Sequence, residues 1–150
     1  MAKGSGWLAY AAARRGKAAT VLMPWTRRGD FQRLIREVGT GDAPRRLAWR
    51  RVRGRTRDFH IRLIEALRSR SWLRVTGLDA LPAGPLRLRA EDESLAGGRA
   101  DASLRVVDRR TTVGLQLARF IASALTPEAK LNRAQRDVAE AVRAAWPELA

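Results

Sequence analysis

Arginine is the residue type that dominates the possible chemistry of this 150-residue chain. The densest run lies between Arg45 and Arg57, where seven of thirteen residues are arginine and none is acidic. A planar guanidinium binds phosphate oxygens in pairs and can also stack on a base. Many like charges in one segment are unfavourable unless a polyanion neutralises them. The run therefore indicates a nucleic-acid-binding segment; a solvated basic face, an acidic protein surface and an anionic membrane are the alternatives.

The charge of the whole chain is also unevenly distributed. Residues 1–80 contain 19 basic and 6 acidic side chains, whereas residues 81–150 contain 11 basic and 9 acidic side chains. A codon bias toward arginine would explain its excess over lysine, but it would not explain this asymmetry. The overall formal charge of +15 is thus concentrated in one half, which again favours a polyanionic partner.

One aromatic residue, Trp49, lies inside the basic run. Arginine mixed with an aromatic ring suits RNA or single-stranded DNA, bound by its backbone and by stacking; the alternative is that Trp49 packs in the core. The run contains no Asn or Gln, so we expect sequence-independent binding. The predicted nucleic-acid-binding residues are Arg27, Arg28, Arg45, Arg46, Trp49, Arg50, Arg51, Arg53, Arg55, Arg57 and Arg62.

The sequence shows no residue set that is typical of catalysis or metal binding. It contains no cysteine and a single histidine, His60, which lies beside an apolar row. The acidic cluster Glu91, Asp92 and Glu93 is more typical of a solvated loop than of a metal site. No phosphate-binding glycine loop and no nucleophile motif are present. We therefore expect a protein that is not an enzyme and that binds no cofactor and no metal.

Apolar runs in this chain are too short to cross a membrane, which takes roughly 18–20 residues. A secretory signal would need an uninterrupted apolar stretch near the N-terminus, and Arg14, Arg15 and Lys17 interrupt it. We expect a cytoplasmic protein without a membrane partner.

Helical spacing of apolar residues predicts several helices. They cover residues 7–15, 31–38, 56–70, a segment that begins at Thr111 or Thr112, and a segment that begins at Thr126 and ends near Trp146. The arginine run is also expected in helical register, with a bend at Gly54. The apolar faces predict one shared core of Phe31, Leu34, Phe59, Leu63, Leu117, Phe120, Leu131 and Val138.

Extended structure is predicted in three other places. Residues 72–76 and 86–89 alternate apolar and basic side chains, which is typical of strands. Residues 18–25 are expected to form a buried connector or a short strand, and residues 104–107 a strand or a helix start. The resulting prediction is a mostly α fold: a single basic helical domain over residues 1–150, built as a small bundle of four to six helices, with one short β-hairpin in the middle as an option.

Four features near the N-terminus follow one another in order: Trp7-Leu8, Gly16, the pair Arg27-Arg28 and the segment Phe31-Gln32-Arg33-Leu34. This order resembles the small subunit of multisubunit (class 1) CRISPR effector complexes. The resemblance implies a helical bundle that lines an RNA-containing filament in antiviral defence.

These observations together predict a non-enzymatic, sequence-independent nucleic-acid-binding subunit of a larger ribonucleoprotein assembly. Its expected partners are RNA or single-stranded DNA and other protein subunits, which can include copies of itself. Two alternatives remain open. One is a structural protein of a phage particle or tail. The other is a winged-helix DNA-binding protein with its wing at residues 72–89 or 103–117.

Overall fold

The computed structural model describes residues 6–38, 47–78, 86–90, 104–106, 112–126 and 130–149. Five strands are present in these ranges: β1 (Trp7–Arg14), β2 (Lys17–Pro24), β3 (Arg74–Thr76), β4 (Leu86–Ala90) and β5 (Leu104–Val106). Four α-helices accompany them: α1 (Arg28–Val38), α2 (Arg57–Arg68), α3 (Val113–Leu125) and α4 (Arg133–Ala145). Short 3-10 turns occur at Trp25–Arg27, Trp49–Arg51 and Pro147–Leu149.

The strands form one mixed sheet in the order β3-β2-β1-β4-β5. β1 and β2 pair antiparallel, as do β2 and β3. β4 pairs parallel to β1 on its other side, and β5 pairs parallel to β4. Only β2 therefore runs against the other four of these strands. The prediction of a mostly α bundle is wrong: this is an α/β fold in which the helices pack on one face of a mixed sheet.

The predicted N-terminal helix at residues 7–15 is in fact a strand. Trp7–Arg14 continues into β2 through a two-residue turn, in which Arg15 and Gly16 have φ angles of 47° and 84°. Positive φ at both central residues suits the tight turn of a twisted hairpin. Alanine favours a helix in isolation, but here both edges of β1 are paired. The helical N-terminus that the CRISPR-subunit resemblance implied is therefore absent from this segment.

The predicted hairpin in the middle of the chain is also wrong, although its strands exist. Residues 74–76 and 86–90 are extended, but they do not pair with each other. β3 pairs with β2 and β4 pairs with β1, so the two strands lie on opposite sides of the N-terminal hairpin. The residues 104–106 adopt the strand alternative.

Three predicted helices are confirmed, and two helical predictions need correction in addition to the one at residues 7–15. The segments at 31–38, 56–70 and after Thr112 form α1, α2 and α3. The basic run is not an α-helix over its described part, where it forms one 3-10 turn at Trp49–Arg51. The last helix begins at Arg133, after the N-cap Asn132, and not at Thr126. Thr126 instead ends α3, where its hydroxyl donates to the carbonyl oxygen of Ala122 at 2.8 Å.

The main core lies between the helices and one face of the sheet. It contains seven of the eight predicted core residues, and Leu131 is the exception because it is only half-buried. α3 packs directly on β1: a methyl group added to Gly114 would overlap the ring of Tyr10. Glycine at this position allows the helix to approach the sheet closely.

The opposite face of the sheet carries a second, smaller apolar cluster. It consists of Ala9, Ala11, Leu22, Leu88 and Ala90, which are all at most 2% exposed. β1 is thus apolar on both faces, as is typical of a strand in the interior of a sheet. A strand that is apolar on both faces shows neither a helical nor an alternating period. The alanines of β1 then favour a helix by composition alone.

Candidate nucleic-acid interface

The described part of the predicted basic segment, residues 47–57, is called here the basic arm. It leads from the core residue Leu47 through the 3-10 turn to the start of α2. Thr56 fixes its second half, because the hydroxyl accepts from the Arg53 amide at 3.1 Å and donates to the Arg51 carbonyl at 2.7 Å. Val52 is fully buried and anchors the middle. The arm is an irregular segment with a defined backbone path.

Two amide side chains at the start of α4 hold the arm against that helix. The Asn132 amide nitrogen donates to the Val52 carbonyl at 3.0 Å, and the Gln135 amide nitrogen donates to the Trp49 carbonyl at 3.1 Å. The oxygens of the same two amides form the capping box of α4. Each side chain therefore caps the helix with its oxygen and binds the arm with its nitrogen.

A third amide side chain binds the other end of the arm. The Leu47 backbone amide donates to Gln116 Oε1, on α3, at 2.8 Å. The arm backbone is thereby bound to both C-terminal helices by side chains other than its own arginines.

Trp49 packs inward from the arm. Its ring meets Phe120 edge-on, with centroids 5.3 Å apart and an interplanar angle of 78°. The indole is half-buried, and its Nε1 atom is buried without a hydrogen-bond partner in the described part of the chain. The contact with Phe120 favours packing of Trp49 in the protein over stacking on a base.

The arginines of the arm point away from this packing. Arg50, Arg51, Arg53 and Arg55 are all exposed. Arg45 and Arg46, which the sequence also assigned to the site, lie outside the described residues. The described arm thus supplies four exposed guanidinium groups on a fixed backbone.

A second basic segment lies beside the first. Residues 130–136 at the start of α4 contain three exposed cations and no acidic residue. Since Asn132 contacts Val52, the fold brings together two segments that are 80 residues apart in the chain. The seven exposed cations of the two segments are called here the basic surface: Arg50, Arg51, Arg53, Arg55, Lys130, Arg133 and Arg136.

Arg57 lies at the edge of the basic surface and is bound to carboxylates. Its Nε donates to Asp137 at 2.7 Å and its Nη1 donates to Asp58 at 2.7 Å. The hydrogen bond with Asp137 raises the pKa of the Arg57 guanidinium further above its ordinary value. Arg57 therefore connects α2 to α4, and its charge is largely neutralised by these partners.

Two other predicted site residues, Arg27 and Arg28, lie at the start of α1. Arg27 pairs with Asp30 at 3.0 Å and lies over the ring of Trp72, while Arg28 lies over the ring of Trp25. Arg62 is exposed on α2. These contacts connect Arg27 and Arg28 to the first turn of α1 and its neighbours, and no described contact joins them to the basic arm.

The single histidine of the chain is an internal residue. His60 has no exposed surface, and its Nδ1 lies 2.7 Å from the Thr56 carbonyl oxygen. Burial lowers the pKa of the imidazole below its ordinary value. In the described ranges, no group of three or more His, Asp or Glu side chains is arranged to hold a metal ion.

The contribution of α4 to the basic surface was not predicted from the sequence. Lys130, Arg133 and Arg136 were overlooked because residues 81–150 are nearly neutral as a whole. A local signal existed, since three of the seven residues from 130 to 136 are basic and none is acidic. Its pairing with the arm depends on a long-range contact that no local pattern contains.

Comparison with known proteins adds no family to this description. No protein-family model, no curated protein and no solved structure matches the chain. Within the described residues, the helices are too short or too polar to cross a bilayer.

Proposed function

We propose that this protein binds nucleic acid through the phosphate backbone, without sequence preference, as one subunit of a larger nucleoprotein assembly. The observation that carries the proposal is the basic surface, in which two distant segments place seven exposed cations together with no acidic residue in either segment. Like charges on neighbouring segments repel one another, and a polyanion relieves the repulsion. Phosphate contacts of this kind release counterions and supply most of the affinity in non-specific binding.

The use of the amide side chains supports sequence-independent binding. Asn and Gln are the side chains that read adenine edges in pairs of hydrogen bonds. The chain has one Asn and three Gln, and Asn132, Gln135 and Gln116 all bind the arm backbone. The remaining one, Gln32, lies on α1. The amides near the basic surface therefore position the arm, and the exposed groups beside them are cations that suit phosphate.

The test compares two triple variants of equal net charge. The first, R50Q/R51Q/R53Q, removes three cations of the basic surface. The second, R36Q/R68Q/R143Q, removes three exposed arginines from α1, α2 and the last turn of α4. Binding to a labelled oligonucleotide is titrated at several salt concentrations, after circular dichroism has shown that both variants are folded.

We expect the first variant to bind more weakly and to lower the slope of log K against log salt by about 2–3, at about 0.7–0.9 per lost phosphate contact. The second variant should retain most of the parent slope. Equal losses in both variants would mean that only net charge matters, and an absence of binding by the parent protein would refute the proposed function.

Membership of an assembly has its own test. The protein is purified from its native host with and without nuclease treatment, and the co-purifying chains are identified by mass spectrometry. Partner chains that are lost on nuclease treatment would support a nucleoprotein assembly, and purification of the chain alone under both conditions would contradict it.

A further inference from the structure

The aromatic residues of this chain are all accounted for by packing. There are nine of them, five Trp, one Tyr and three Phe, and every one lies within the described ranges. Tyr10, the three phenylalanines and Trp146 are buried, and the other four tryptophans are half-buried. None of these nine aromatic side chains is exposed. Proteins that bind single strands usually provide exposed aromatic rings on which unpaired bases stack.

The half-buried tryptophans each have a packing partner on the protein. Trp49 meets Phe120, and Trp25 and Trp72 lie beneath the guanidinium groups of Arg28 and Arg27. Trp7 packs against the second apolar cluster of the sheet. The basic surface consequently offers charge for phosphates and lacks a ring for bases.

The backbone that carries the cations is also fixed before any ligand binds. Hydrogen bonds from Asn132, Gln135 and Thr56 hold the arm, and Gln116 holds its first residue. A fixed set of cations suits a partner whose phosphates are themselves fixed in space. A flexible single strand would lose conformational freedom on such a surface, and no stacking would compensate that loss.

From these observations we infer that the basic surface binds the backbone of double-stranded nucleic acid in preference to single strands. This inference rests on the proposed function and specifies its ligand. It replaces the preference for RNA or single-stranded DNA that the position of Trp49 in the sequence suggested. A duplex also carries more charge per unit length than a single strand, and each contact on it contributes about 0.9 to the salt slope, against about 0.7 on a single strand.

The test is a competition titration with the full chain at one salt concentration. The competitors are a DNA duplex, an RNA duplex and their four component strands, all of one length and chosen to avoid self-pairing. We expect both duplexes to compete at least about fivefold more effectively than any component strand, because of their higher and fixed charge density. The two duplexes distinguish a DNA partner from an RNA partner.

Tryptophan emission provides a second, independent readout. Stacking of a base on an indole quenches the indole fluorescence. The bases of a duplex are stacked on one another, so saturation with duplex should leave the tryptophan emission nearly unchanged. Single strands that bind as tightly as the duplexes, or that quench the emission strongly, would overturn this inference while leaving the proposed function intact. If none of the six competitors bound, the proposed function itself would fail.

Discussion

The imidazole of His60 lies parallel to the ring of Phe120, with centroids 5.3 Å apart and an interplanar angle of 6°. The ring is fully buried, and its Nδ1 lies 2.7 Å from the Thr56 carbonyl oxygen, so Nδ1 carries the proton and donates it. Nε2 is buried and has no hydrogen-bond partner within the described residues. Protonation at Nε2 would place a charged N–H in the core without an acceptor, and the folded protein therefore holds the neutral form.

This arrangement predicts a loss of stability in weak acid. Because burial lowers the pKa of His60 in the folded state, the unfolded chain binds the proton more tightly. The free energy of unfolding should have its full value above about pH 6.5, the unfolded pKa, and should fall below it by up to about 1.4 kcal/mol per pH unit until the folded pKa is reached. Urea unfolding between about pH 7.5 and pH 5.5 measures the effect. H60F should show a flatter profile; equal slopes in both proteins would contradict the prediction.

A side chain at position 114 should lower the stability of the fold. In G114A the new methyl group would overlap the ring of Tyr10, which forces α3 away from β1. We expect a loss of about 1–3 kcal/mol, which outweighs the roughly 1 kcal/mol that alanine gains in a helix. Thermal and urea unfolding measure it. The control is G29A in α1, where nothing lies within 4 Å of the new methyl group, and this variant should be as stable as the parent or slightly more so. A neutral result for G114A would refute the close contact.

Variants of Asn132 should separate the effect on nucleic-acid binding from the effect on helix capping. N132S retains a side-chain oxygen that can cap α4 but loses the nitrogen that binds the Val52 carbonyl. N132A loses both functions and should cost about 1 kcal/mol more in stability than N132S. Both variants should weaken nucleic-acid binding by a similar factor, roughly three- to tenfold, because the arm is no longer fixed. If only N132A weakened binding, the effect would come from the helix cap and not from the arm.

Removal of the negative charge of Asp137 should strengthen nucleic-acid binding. Its carboxylate accepts from Arg57 Nε at the border of the basic surface. In D137N a negative charge is removed and Arg57 keeps only its ion pair with Asp58, so affinity should rise and the salt slope should increase by less than the value of about 0.9 for one full phosphate contact on a duplex. The matched control is E140Q, which removes an exposed acid one turn further along α4. Equal gains in both variants would indicate a general charge effect.

Much of the fold could be predicted where the local pattern and the tertiary packing agree. α1 and α2 have apolar residues at helical spacing, and that spacing matches the buried residues observed. α3 begins at the expected cap, Thr112. In α1 and α2 a single face meets the core, so the sequence period and the burial pattern are the same. α3 is buried on nearly every side, so its predicted apolar face covers only part of its buried residues.

The strand β1 could not be predicted in this way, because its central place in the sheet depends on pairing with a strand far along the chain. Alanine-rich β1 has no period, since both of its faces are buried. Its parallel partner β4 lies beyond α1 and α2 in the chain. Tertiary pairing of this kind overrides the helix propensity of alanine.

The candidate site was only partly predictable for the same reason. Charge density alone identified the arm, since Arg50, Arg51, Arg53 and Arg55 are exposed as expected. The contribution of α4 depends on the contact between Asn132 and Val52, and the inward direction of Trp49 depends on Phe120. Neither contact has a local signature in the sequence.

The central position of β1 also constrains the order of folding. Its bonds to β2 close across a two-residue turn and can form early, whereas its bonds to β4 must wait until the intervening helices are in place. During that interval β1 presents an open strand edge with apolar residues on both faces, which is the kind of edge that pairs with other copies of the same chain. Refolding yield should therefore decrease as protein concentration rises, and the aggregates should be rich in intermolecular β-structure.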